Sequence, residues 1–307
     1  MRALWLAVAV LAFCVAKADS QQIADHQADV GVAAPAFASE SGPIIGVDSA
    51  HHNFHTIDGR YAPFAGLLRS DGFRVVDSNR AFSPQSLTPI KVLVVANALP
   101  PDLVDNWRLP AHSAFAPAEI AALKTWVENG GSLLLIADHL PFAGSTRDLA
   151  QAFGFAFQDG VVERDPMDGR PDMFTLPGGS LRDDVVTRGR NAREVVTAVR
   201  TFTGSAFKAP AGARPILVLP AGFMIHDCGL PCPAGVAEHD AGGYLQGAVM
   251  PAGKGRIAVF GEAAMFSAQI IPLRNGPFYF GFNAPGAEQN KQFILNLLRW
   301  LSGVLPP

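Results

Sequence analysis

GGSLLLIADHLPFAG, residues 130–144, is the stretch on which the reading of this sequence turns. Gly130–Gly131 is a turn signal, Leu133 to Ile136 is a short apolar run, and the run stops on two polar residues, Asp138 and His139. Four to eight apolar residues bounded by turn signals predict a strand buried on both faces, as in a parallel sheet. In open α/β sheets the ligand crevice lies at the carboxyl ends of such strands. Asp138 and His139 therefore occupy a position where chemistry is expected.

Working outward, the same pattern recurs. Ile44–Val47 ends on Asp48, Leu93–Ala96 ends on Asn97, and Ile257–Phe260 ends on Gly261-Glu262. Phe73–Val76, Ile216–Leu219 and Gln246–Met250 predict further strands. Between them lie helical stripes: Tyr61, Phe64, Leu67 and Leu68; then Ile120, Leu123 and Val127 behind Pro117, with Glu119 near the positive end of the helix dipole. Ser145 resembles an N-cap for a helix ending at Gly154, and a last helix, starting near Pro285, carries Phe293, Ile294, Leu297, Leu298 and Leu301. Strands alternating with helices predict an α/β fold with a doubly wound, mostly parallel sheet. We read residues 43–303 as one domain, with an insertion or antiparallel extension within 155–245.

The chain of 307 residues is 49% hydrophobic and 17% charged, enough to bury a large core. Residues 1–18 read as a signal peptide: Arg2, an apolar stretch from Leu4 to Val15, then Ala16-Lys17-Ala18. Residues 19–42 read as a flexible leader. Export predicts a periplasmic or secreted protein with no transmembrane span in the mature chain. Loss of Arg2 and Lys17 moves the net charge from −3 to −5, and without a basic block there is no footprint for nucleic acid. In an oxidising compartment Cys228 and Cys232, in CGLPC, predict a small structural disulfide.

In a parallel sheet the polar strand ends share one edge, so residues distant in sequence converge there. Asp48, His52, Asp138, His139 and Glu262 are the candidate catalytic groups, and His51, His55, Asn53 and Asn97 the candidate substrate-binding ones. Three histidines in five positions beside carboxylates could hold a zinc-like divalent ion, with His51, His52, His55 and Asp138 as ligands. They could equally do acid–base work without metal. Each also has a structural alternative: Asp48 and Asp138 can cap loops, and Glu262 can be the first-turn acid of a helix over Ala263–Ala268. No G-x-S-x-G elbow and no Walker loop occur, and Gly253-Lys254-Gly255 precedes its strand, so it is a turn and not a dinucleotide loop.

The run from IIGVDSAHHNFHT through VLVVANAL and WVENGGSLLLIADHLPFAG to GKGRIAVFGEAAMFSAQ resembles a group of exported bacterial proteins of unknown function, over roughly residues 43–302. That group is similar to the class I glutamine amidotransferase-like superfamily, which implies a flavodoxin-like three-layer sandwich. Amidotransferases of the superfamily carry a cysteine on a strand-to-helix elbow. The corresponding turn here is Ala137-Asp138-His139-Leu140, without a cysteine, so thiolate chemistry is not implied. Two functions follow as expectations. One is a hydrolase-like enzyme acting on a small molecule, carbohydrate or cell-wall derivative. The other is a catalytically inactive binding or scaffold domain of an envelope complex, with an envelope protein as partner.

Overall fold

A computed structural model describes residues 22–164, 171–228 and 235–307. The centre is a nine-stranded mixed sheet. Its strands are β1 (Ile44–Asp48), β2 (Arg74–Ser78), β3 (Val92–Ala96), β4 (Ser132–Ile136), β5 (Ala156–Phe157), β6 (Phe207–Lys208), β7 (Arg214–Val218), β8 (Leu245–Ala252) and β9 (Gly255–Phe260). The order is β2-β1-β3-β4-β9-β8-β6-β5, with β7 also paired to β8. From β2 to β9 the neighbours are parallel, and beyond β9 they are antiparallel.

The apolar runs explain the parallel half. Every residue of β3 and β4 is buried, and their side chains alternate between two cores. Val92, Val94, Ala96, Leu134 and Ile136 pack on one face with Tyr61, Phe64 and Phe293. Leu93, Val95, Leu133 and Leu135 pack on the other with Leu123, Val127 and Leu149. Both faces are covered because a parallel crossover must return over the sheet, and these return as helices. Helices α1 (Ala62–Ser70) and α4 (Asn290–Ser302) cover the first face, and α2 (Pro117–Glu128) and α3 (Phe142–Gln151) the second. Gly303, in the left-handed region at φ +91°, stops α4.

Three helix starts differ from expectation: the last helix, expected from near Pro285, begins at Asn290. Helix α3 begins at Phe142, with Pro141 as its cap residue, and the Ser145 amide bonds back to the Pro141 carbonyl, so Ser145 lies inside the helix. The Ala263–Ala268 helix is only a 3₁₀ turn (Ala264–Phe266), and the chain then enters a strand at Ala268–Ile271. His226, His239 and Asp240 stand on the paired strands Phe223–His226 and Glu238–Asp240.

Residues 22–42, read as part of a flexible leader, run along the domain. Ile23–Ala24 pairs with Ala268–Ile271, and Phe37 meets Phe73 edge-on with ring centroids 5.1 Å apart. The anchor is a buried ion network: Arg299 donates to both oxygens of Asp71, at 2.6 and 2.9 Å, to Glu194 and to the Ala34 carbonyl. Asp71 also accepts from the Ala36 amide. A composition without periodicity gave no hint of this, because the segment is held by partners from Asp71 and Gly72 to Ile270 and Arg299, far along the chain. Among the described residues no helix is long and apolar enough to cross a membrane. Cys228 is disulfide-bonded; Cys232 and residues 1–21 lie outside the described residues.

Candidate functional site

The strand ends divide into two groups along one edge of the sheet. At the end of β1, Asp48 is fully buried and binds His51 Nδ1 through both oxygens, at 2.8 and 3.0 Å. The other ring nitrogen, His51 Nε2, lies 2.9 Å from Glu119. With both carboxyl groups ionised both nitrogens donate and the ring is an imidazolium; burial pushes the Asp48 carboxyl up from its ordinary value, and the bond and charge of His51 oppose that. Burial penalises that charge, but Asp48 and then Glu119 override it and hold the His51 pKa above the ordinary histidine value. The ring lies against Phe82 and Phe115, with centroids 4.5 and 4.7 Å away. Glu119 in turn accepts from the amides of Phe82 and Ala116. Asn53 accepts from the His51 amide and donates to the Ala96 carbonyl. Every one of these groups is occupied in holding a neighbour. His52 points away, exposed, on a backbone at φ +46°.

The second group lies at the ends of β3, β4 and β9. Asn97 takes a left-handed conformation at φ +53°, which asparagine tolerates better than most residues. Its carboxamide oxygen accepts from the Asp138 amide at 2.9 Å, and its nitrogen faces His55 Nδ1 at 3.3 Å. That nitrogen must donate, so His55 Nδ1 is an unprotonated acceptor. Burial, followed by the charges of Arg60 and His139, pushes the His55 pKa down to about 3, so the ring is neutral.

Strands β4 and β9 are parallel neighbours with Ile136 opposite Phe260, so Asp138 and Glu262 each stand two residues beyond the same paired rung. Asp138 and Glu262 are 8% and 0% exposed. Glu262 accepts from the amides of Ala264 (2.7 Å) and Met265 (2.8 Å). Burial, and then the negative charge of Asp138, nevertheless raise its pKa well above the ordinary carboxylate value. Asp138 accepts from the His139 amide at 2.8 Å and from the Ala263 amide at 3.3 Å. Tyr61 donates to the Ala263 carbonyl, and burial followed by the charges of Glu262 and Asp138 pushes its phenol pKa up. Gly261 is required beside Glu262, because a Cβ there would stand 2.3 Å from the Ser205 carbonyl oxygen.

His139 is half-buried, with Nδ1 2.9 Å from the Leu140 carbonyl. A carbonyl only accepts, so Nδ1 carries a proton, and Nε2 is the ring nitrogen left to exchange one with a ligand. Beside it runs an aromatic wall: Trp107, Phe142 and Phe54, with centroid separations of 5.0 to 5.5 Å. Trp107 is 38% exposed and 5.9 Å from the His139 ring.

The structure thus brings Asp138, His139, Glu262, Asn97 and His55 together, and places Asp48, His51 and Asn53 in a separate closed network. The four residues weighed as metal ligands divide between the two groups and the exposed His52. Among the described residues, no group of three or more His, Cys, Asp and Glu side chains is arranged to hold a metal ion. Sequence reasoning missed Glu119, read only as a helix-dipole acid; Tyr61, read only as part of a helical stripe; and Trp107, to which it gave no role. The one available signal was Trp107, a large aromatic in a polar loop.

No protein-family model matches the chain, and no curated protein matches it at a significant level. Similar solved structures include the mmIFT52 N-terminal domain, at 15% identity and a TM-score of 0.57, covering 84% of this chain and 97% of that one. A cytoplasmic protein from Salmonella typhimurium aligns at 13% identity and a TM-score of 0.50, covering 84% and 98%. A ThuA-like protein from Bacteroides uniformis aligns at 12% identity and a TM-score of 0.43, covering 90% and 95%. At these identities the first two likenesses speak for a shared α/β fold and for nothing about activity.

Proposed function

We propose that the edge formed by β4 and β9 is the acid–base site of a hydrolase-like enzyme acting on a small-molecule, carbohydrate or cell-wall derivative. The carrying observation is that Asp138 and Glu262 stand at matching positions beyond one paired rung, with Glu262 pushed toward its protonated form by burial and by Asp138. A carboxyl group pushed toward its protonated form beside a second carboxyl group is the kind of pair that acid and base roles use. In this reading Asp138 and His139 Nε2 accept protons, Glu262 retains one, Asn97 fixes the Asp138 backbone, and Trp107 offers a face for a ring-shaped ligand. We further read the parallel order 2-1-3-4 continued by β9 as flavodoxin-like, with helices on both faces, and the chain as an exported one.

A binding or scaffold role is the second reading. It is favoured by the closed network at β1, where Asp48, His51 and Asn53 spend their hydrogen bonds on the protein itself.

The test is a panel of aryl esters, amides and glycosides, assayed with and without added zinc, on the wild type, Asp138→Asn and Glu262→Gln. The enzyme reading expects turnover of at least one class and a loss of about 10²–10⁴-fold in kcat in each variant, the usual contribution of a positioned acid or base. Turnover that survives both substitutions, or no turnover of any class, overturns it in favour of the binding role.

A further inference from the structure

Arg60 sits beside this edge with its charge unmatched. Its guanidinium lies 3.7 Å above the centroid of the ring of Phe54, the partly buried member of the aromatic wall. Nη1 donates to the Phe54 carbonyl at 3.3 Å, while Nε is buried and has no hydrogen-bond partner. Among the described residues no carboxylate lies within ion-pair distance of it. Arg299 provides the contrast: also a buried guanidinium, it is matched by Asp71 at 2.6 Å and Glu194 at 3.0 Å. A half-buried charge without a counter-charge is costly, because the solvation it has lost is not replaced. Such a group is retained where a partner arrives from outside.

Its surroundings place that partner. Arg60 acts electrostatically on His55, which bonds Asn97, which holds Asp138. Through Phe54 it is continuous with Trp107 and Phe142, and through Trp107 with His139. It also lines a cavity of ≈ 250 Å³ with His26, Asp58, Gly59 and residues 22–24. That space suits one small substituent and not a whole drug-sized ligand. The backbone is fixed, since the Arg60 carbonyl accepts from the Ser267 hydroxyl at 2.7 Å. Guanidinium is always charged at working pH and presents a planar fork that fits carboxylate and phosphate oxygens.

We propose that Arg60 is the anion-recognising residue of the edge site, and that its ligand is a small molecule carrying a carboxylate or phosphate group. This inference names the substrate class of the hydrolase-like reading and rests on that reading for its chemistry, but the binding step can be tested without turnover.

The experiment follows the arginine Nε–Hε resonances of the ¹⁵N-labelled full chain, with the Arg60 signal identified by its loss in Arg60→Lys. The probes are galacturonate, galactose 1-phosphate and neutral galactose. A saturable shift of the Arg60 signal with either anionic sugar, absent with galactose, is expected, and it persists in Asp138→Asn. Quenching of Trp107, isolated by comparison with Trp107→Phe, gives the affinities, and Arg60→Lys weakens the anionic probes about tenfold or more. Whichever anionic probe binds tells carboxylate from phosphate. No shift with either anion up to millimolar concentration, or an equal shift with galactose, overturns the inference. Anion binding through Arg60 without hydrolysis of any panel compound defeats the enzyme reading alone. Hydrolysis of neutral compounds without anion binding defeats this inference alone.

Discussion

Two polar clusters stand on the same edge of one sheet, built from the same residue types, and they differ in how their charges are balanced. At β1 an imidazolium is clasped between Asp48 and Glu119, each carboxylate is further bonded, and two phenylalanines seal the ring. At β4 and β9 burial and the charge of Asp138 push Glu262 toward its protonated form, His55 is held neutral, and among the described residues the Arg60 guanidinium has no carboxylate at ion-pair distance and its Nε no hydrogen-bond partner. The first arrangement spends its polar groups on rigidity. The second leaves them in unusual protonation states with spare capacity, which is the pattern expected where a ligand or a proton is exchanged. The physical difference is one of pairing and not of composition: His51 meets two carboxyl groups, whereas His55 meets the Asn97 amide and lies in the field of the Arg60 guanidinium.

The strongest way to break the comparison is at His51. His51→Ala would leave Asp48 fully buried without its counter-charge, and it is expected to destabilise the protein by about 3–5 kcal/mol in urea unfolding. Were His51 a working residue in a loosely held site, the same substitution would leave the midpoint almost unchanged.

A smaller effect sharpens the other half. Folded His55 stays neutral down to about pH 3, whereas a histidine in the unfolded chain takes up its proton near the ordinary value of 6.5. Between those values the unfolded state binds more protons, so stability falls as the pH drops, by at most about 1.4 kcal/mol per unit from this residue. The slope of unfolding free energy between pH 6 and 4 should decrease by close to one proton in His55→Gln, which keeps an acceptor for the Asn97 amide. An unchanged slope would mean that His55 is charged in the folded protein.

Much of this architecture was readable from local patterns. Leu133–Ile136 and Leu93–Ala96 are apolar runs closed by polar residues, and a strand buried on both faces has no other way to look. The convergence of Asp138, Glu262 and Asn97 followed from that, because parallel strands put their carboxyl ends on one edge. The division of the histidines did not. His51, His52 and His55 are neighbours in sequence, yet one turns to Glu119, 68 residues on, one faces solvent, and one turns to Asn97, 42 residues on. Which way each ring points depends on the left-handed backbone at His52 and on partners far along the chain. The leader segment was opaque for the same reason: its order comes from Asp71, Arg190 and Arg299, not from its own periodicity.

The central claim is that the β4–β9 edge keeps a proton on one of two neighbouring carboxyl groups, and the ¹³Cδ titration of Glu262 tests it most directly. The account predicts a Glu262 midpoint well above the ordinary glutamate range in the wild type, moving down in Asp138→Asn as the neighbouring charge is removed. A midpoint within the ordinary range, indifferent to Asp138→Asn, would contradict it.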